Sequence, residues 1–337
     1  MSCAVAAQTD FRERFQEYKF STPALGTVEY CTFRSTINSV KPILLFIHGS
    51  GNLPTFHYRA DTKTWFWSGF SELEKYKDKF HIIFVSKPGV PLFDTVQVKD
   101  GQLTYPVNSV YTANYTLNWR AESAAAIIDH AVKNLSSDTT QIIVMGHSQG
   151  GQVAPKAAVL NKRVTHVVML CSNSLNHIYD FVMQERLLAY SGEQTHEQAQ
   201  NNIDSLMRDY QRFFNNPTDT STYFYDETYM RWASFSSETP LDNMLKLNIP
   251  VLLIAGGKDI YGSLIMNTDY AQIKFMRKGK NNLTYKVYPN CNHFLQDELV
   301  GTNKETLTKD RKPEIFAMML DWAGADRSKT TPVPGKK

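Results

Sequence analysis

The 337-residue sequence contains no apolar run long enough to cross a bilayer, so it offers no membrane-spanning helix. Cysteine is scarce: Cys3, Cys31, Cys171 and Cys291 are scattered with no C-x-x-C spacing, which argues against a zinc site or a dithiol redox motif and for free or buried thiols. Charge of one sign is missing too. The 36 Lys and Arg against 33 Asp and Glu leave a net charge of +3 with no basic block, so neither nucleic acid nor an anionic membrane surface is an expected partner. No internal repeat is found by inspection. The start, Ser-Cys-Ala-Val-Ala-Ala-Gln at 2–8, resembles the small-residue end of a secretory signal but lacks the basic and apolar regions that precede one. Two expectations stay open: a cytoplasmic protein with an ordinary N-terminus, or a periplasmic or secreted one whose signal has been removed.

What is present is the composition of a globular chain, 42% hydrophobic and 20% charged, long enough for one large or two ordinary domains. Continuous apolar runs at 43–47, 81–85, 141–145, 164–170 and 249–255 read as strands covered on both faces. Residues 27–33 alternate as a half-exposed strand should, and 283–288 read as a last strand. Helical spacing recurs at 120–134, where Ala124, Ile127, Ile128, Ala131 and Leu135 share a face, and is expected at 71–79, 151–160, 263–278 and 313–322. Strands alternating with helices imply an α/β protein with a mostly parallel sheet and helices on both sides. The stretch 91–118 mixes Pro, Gly, Asn and Tyr and is expected to be irregular. Residues 174–239 interrupt the alternation with two helical patterns, at 180–190 and 198–214, followed by Tyr223, Phe224, Tyr225, Tyr229, Trp232 and Phe235. That insertion reads equally as a subdomain with its own small core or as a lid whose aromatics line a cavity.

One stretch organises the rest: the apolar run ending in Gly146-His147-Ser148-Gln149-Gly150, then a helical pattern. A serine at a strand-to-helix turn sits in a strained backbone, and its neighbours two positions away must be small for strand and helix to pass. The hydroxyl is lifted off the sheet, and the Gln149 amide at the helix N-terminus faces the same space. Three further runs also end in polar residues: His48-Gly49-Ser50-Gly51, Gly256-Gly257-Lys258-Asp259, and Asn290-Cys291-Asn292-His293. In a parallel sheet these ends share one edge. Ser148 as nucleophile, His293 as base and Asp259 as its orienting acid would form a proton-handling set, with the Ser50 and Gln149 N–H groups as oxyanion donors. Each such donor is worth roughly 3 kcal/mol of barrier. Taken singly, Asp259 could be a helix cap and His293 a loop residue; their order, Ser then acid then His, each after its own strand, favours the catalytic reading. His48 and His147, with Gly49 and Gly51, would support the loops, and no metal or cofactor is called for.

On these residues the chain resembles the α/β-hydrolase superfamily over about 27–322. The nucleophile elbow is 146–150, the oxyanion loop 48–51, the acid Asp259 and the base His293. The resemblance implies an eight-stranded, mostly parallel sheet with a cap after the sixth strand. It divides the chain into an N-terminal segment 1–26, a core of 27–173 and 240–326, a cap of 174–239 and a disordered tail of 327–337. The loop at 52–67 and the excursion at 91–118 are longer than is usual for the family. The expected activity is a serine hydrolase acting on an ester, thioester or small amide with an apolar or acyl portion; Trp65 to Trp67 and the insertion's aromatics suggest that portion. Within the fold an aminopeptidase-like peptidase, an acyl-CoA thioesterase, a carbon–carbon bond hydrolase and a haloperoxidase-like enzyme stay open, as does a non-catalytic binding module outside enzymes.

Overall fold

The computed structural model describes residues 11–260, 264–300 and 306–327. The signal-like start, Cys3 and the tail from 328 lie outside them. Eight strands form the main sheet: β1 Phe15–Thr22, β2 Gly26–Phe33, β3 Lys41–Ile47, β4 His81–Val85, β5 Ser137–His147, β6 His166–Leu170, β7 Val251–Gly256 and β8 Leu283–Tyr288. Their order across the sheet is β1-β2-β4-β3-β5-β6-β7-β8. β1 pairs antiparallel with β2, and β2 with β4; every other pairing is parallel. The central strands are buried end to end because helices cover both faces, which is why they read as continuous apolar runs. β1 was not expected as a strand. It is an edge strand whose Gln16, Glu17 and Lys19 break the apolar pattern, and it is held by register with β2 and by Tyr18 stacked on Tyr30 at 4.9 Å.

One face of the sheet is packed by the helices Leu117–Asn134, Gln149–Leu160 and Ile265–Arg277. The other face carries Lys312–Arg327 and the short 3-10 turn Ser71–Tyr76, where a longer helix had been expected. No helix among the described residues is long and apolar enough to cross a membrane.

Two excursions rise from the carboxyl edge of the sheet. The first is a four-stranded sheet in the order Thr64–Trp67, Phe56–Arg59, Phe93–Lys99, Gln102–Thr104. This corrects the expectation of irregular chain at 91–118, which also holds the helix Ser109–Asn114 capped by Asn108. The strand Phe93–Lys99 buries only Phe93 and Val96 and gains its pairing from Phe56–Arg59, far away in sequence, so its own pattern is faint. The second excursion lies between β6 and β7. Helices His177–Ser191 and His196–Asn215, the latter opened by a Thr195/Gln198 capping box, precede a two-residue hairpin and the helix Tyr229–Ser236. Leu206, Tyr210, Phe213, Tyr229 and Trp232 form a core of its own there, while Leu241 and Met244 of the next helix, Pro240–Lys246, return to the main core.

Candidate active site

The strand β5 ends at His147 and the next helix begins at Gln149, so the whole change of direction falls on Ser148. It has φ 55° and ψ −128°, a region that non-glycine residues avoid. Two backbone bonds hold it there: Ser148 N donates to Leu170 O, and Gly151 N donates to Ser148 O, both at 2.9 Å. The turn closes only with glycine on either side. A Cβ on Gly146 would lie 2.1 Å from Gly150 O, and one on Gly150 would lie 2.0 Å from Ile47 O. The loop after β3 presses on the same turn, since a Cβ on Gly49 would stand 3.1 Å from Ser148 Cβ. Ser50, Ser148 and Gln149 accordingly line one cavity.

Asp259 follows β7 and His293 follows β8. Backbone bonds from Gly257 N to Tyr288 O and from Lys258 N to Cys291 O, both 2.9 Å, tie the two loops together. His293 Nδ1 and Asp259 Oδ2 are 2.6 Å apart, and the carboxylate side chain has no exposed surface. A carboxylate only accepts, so Nδ1 carries the proton and Nε2 is left free to take one. His293 and Ser148 line the same cavities, although among the described residues no hydrogen bond joins the hydroxyl to the ring.

The supporting histidines are both buried, and both are neutral for that reason. Burial, aided by the nearby His293, drives His147 down to about 3. Its Nε2–H donates to the His293 carbonyl at 2.8 Å, so the residue before Ser148 holds the backbone of His293. Burial, with Lys87 and Arg120 adding to it, likewise pushes His48 well below its usual range.

Several residues that the sequence reading passed over converge here. Lys87, 2% exposed, donates to Ser50 O at 2.9 Å and also to Gly51 O. Arg120, also buried, donates to His48 O and, through Nη1, to Gln149 Oε1 at 2.7 Å; the Tyr115 hydroxyl donates to the same oxygen. The loop at 48–51 and the first residue of the helix Gln149–Leu160 are therefore fixed through a single buried network. Two signals pointed to it. Lys87 lies just past the end of β4, on the same sheet edge as the other site residues. Arg120 stands four residues before Ala124 on the apolar stripe of its helix, so its burial follows from spacing.

Ser148 lies between two cavities. The larger, about 600 Å³, is walled by Leu53, Phe66, Trp67, Phe70, Leu103 and Phe294. The smaller, about 150 Å³, adds Gln152, Asn173, His177 and Arg231. Trp67 thus stands at a cavity, as expected for the 65–67 stretch. The insertion's Phe224, Tyr229 and Trp232 line neither of these two cavities; they pack with one another, and the insertion reaches the smaller cavity through His177 and Arg231.

These features agree with what the chain is similar to. No functionally curated protein matches it. Among solved structures, DcsB in complex with its substrate analogue aligns over 92% of this chain and 99% of its own, at 14% identity and a TM-score of 0.54. The alpha/beta hydrolase GrgF from Penicillium sp. sh18 aligns over 92% and 97%, at 14% identity and a TM-score of 0.50. Porphyromonas gingivalis dipeptidyl peptidase 4 aligns over 92% of this chain and 35% of its own, at 10% identity and a TM-score of 0.53. At such identities the likeness is one of fold. The sheet order and the strand–turn–helix at Ser148 are joined by a sequence-profile match over residues 44–300, the greater part of its length, and the chain belongs to the alpha/beta hydrolase family.

Proposed function

We propose that the protein is a serine hydrolase that cleaves a carboxylic ester, thioester or small amide through an acyl-enzyme. Ser148 Oγ attacks the carbonyl carbon while His293 Nε2 takes its proton, and Asp259 holds Nδ1–H and stabilises the imidazolium. The negative charge that collects on the carbonyl oxygen is met by the N–H groups of Ser50 and Gln149. His293 returns the proton to the leaving group; water, activated by the same ring, then frees the acid and restores Ser148. The scheme needs neither a metal nor an organic cofactor. The larger cavity, with its Phe66, Trp67, Phe70 and Phe294 wall, suits an apolar portion of the substrate.

The observation that carries this reading is the 2.6 Å His293–Asp259 pair opening onto the same cavity as a serine held at positive φ. A fluorophosphonate probe should label the wild-type protein and fail to label Ser148→Ala, and persistent labelling of that variant would defeat the assignment. A panel of benzyl esters, acyl-CoA thioesters and aminoacyl amides then sorts the reaction class by kcat/KM.

A further inference from the structure

The acyl-transfer scheme leaves one buried charge unused. Arg231, on the helix Tyr229–Ser236, is 5% exposed and lines the smaller cavity beside Ser148. Its guanidinium lies 4.0 Å from the Trp232 ring centre and 5.3 Å from that of Phe235, and neither Nε nor Nη1 has an acceptor. Gln149 lines the same cavity, is 4% exposed, and its Nε2 has no acceptor either. Turning the amide over does not cure this. Its Oε1 is fixed by Arg120 Nη1, and a guanidinium can only donate. Buried donors without partners are uncommon, and a charged one is costlier still, so a pair of them in one cavity wall asks for an acceptor.

The local charge points the same way. Lys87, Arg120, Arg231 and Glu227 feel one another. Burial pushes Lys87 well down and Glu227 up, and this one carboxyl stands against three basic side chains. Glu227 accepts instead from the Tyr111 hydroxyl at 3.2 Å. Basic side chains therefore outnumber the carboxyl in this group. Arg120 is engaged with His48 O and Gln149 Oε1, whereas Arg231, whose charge Glu227 feels, has no acceptor at Nε or Nη1.

We propose that the smaller cavity is a carboxylate subsite, in which Arg231 and the Gln149 side-chain amide receive a carboxylate carried by the substrate a few bonds from its scissile carbonyl. The inference rests on the acyl-transfer reading of Ser148. A planar carboxylate matches the fork of a guanidinium, and about 150 Å³ holds a short acid chain while the larger cavity takes the apolar part.

Two isosteric ester pairs test it, followed by acid release. One pair carries the carboxylate on the acyl side, monobenzyl succinate against benzyl 4-methylpentanoate. The other carries it on the alcohol side, the phenylacetyl ester of glycolate against isobutyl phenylacetate. In at least one pair the anionic ester should lead by about tenfold or more in kcat/KM. In Arg231→Met that ratio should fall toward one, and Arg231→Lys should keep part of it. No preference in either pair, or a preference that survives in Arg231→Met, overturns the subsite. Failure of all four esters together with absent fluorophosphonate labelling defeats the hydrolase reading instead. The subsite is then read by calorimetry with monobenzyl succinate, comparing Ser148→Ala with Ser148→Ala/Arg231→Met. Binding lost in the double variant upholds it, and equal binding refutes it.

Discussion

The loop at 48–51 and the segment at 289–296 approach Ser148 from opposite sides, the first from the end of β3 and the second from the end of β8, and they differ in the groups that anchor them. The first is held through its carbonyls by nitrogen donors of two buried basic side chains, Lys87 and Arg120. The second is held by a neutral imidazole, His147, through the His293 carbonyl, by Asn292, whose side-chain oxygen accepts from Phe294 N and Gln296 N, and by the buried Asp259 carboxylate on the ring itself. In the proposed reaction the first loop faces the developing oxyanion and the second carries the developing imidazolium. The ring thus has a carboxylate against it in advance and the loop has its carbonyls already pinned, so little has to reorganise when the carbonyl is attacked.

The sharpest way to break this comparison is to remove the charge on the base side. Asp259→Asn should lower kcat by about 10³- to 10⁴-fold with a smaller change in KM, because the amide would favour the wrong ring tautomer and would not stabilise the imidazolium. Turnover of a benzyl ester near wild-type rate would sink it. The oxyanion side should be less sensitive, since removing Lys87 leaves the N–H groups in place and only frees the loop that aims one of them. Lys87→Met is expected to cost roughly ten- to a hundredfold in kcat, again more than in KM, measured on a protein whose melting curve shows it folded. Smaller again is His147→Phe, which keeps a ring but loses the 2.8 Å bond to His293 O; a loss of about five- to tenfold in kcat is expected. If Lys87→Met and His147→Phe proved equally mild, the two anchors would be mere scaffolding.

The sheet and the sharp turn at Ser148 were legible in the sequence because each is dictated locally. A strand covered on both faces must be apolar throughout, and a turn in which β5, β3 and the helix come within contact at Gly146 and Gly150 admits only glycine there. Asp259 and His293 stood out by position, each shortly past the end of a strand read from the sequence. What escaped notice depends on partners distant in sequence. Phe93–Lys99 is a strand because Phe56–Arg59 pairs with it, and β1 is one because β2 does. Arg231 was hidden among insertion aromatics that draw attention to themselves yet pack together, while the arginine between Met230 and Trp232 reaches the cavity. Lys87 and Arg120 read as surface residues by type; only the sheet edge and the helix stripe on which they stand mark them as buried.

The base side holds a second carboxyl, and it gives the last test. Asp180, at the start of the insertion's first helix, is 6% exposed; its Oδ1 accepts from Asn267 Nδ2 at 2.8 Å and its Oδ2 from Asn173 Nδ2. Asn173 in turn takes Gln152 Nε2 at 2.6 Å, so this chain of amides ties the insertion to the nucleophile helix. Burial, with Asp259 adding to it, raises Asp180 to about 7, against the amide donors that favour its ionised form. In the unfolded chain the same group titrates near 3.9. Between these values the folded protein holds a proton that the unfolded chain has released, so stability is greatest at the acid end of the window and is lost as pH rises from about 4 to about 7. Asp180→Asn removes the titration. Its melting temperature, compared with wild type at pH 5 and pH 8, should lack that part of the decline, gaining on wild type by a few °C at the higher pH. Parallel slopes in the two proteins would assign the pH dependence to other groups and leave Asp180 a plain hydrogen-bond acceptor, with the base side carrying one carboxylate of consequence rather than two.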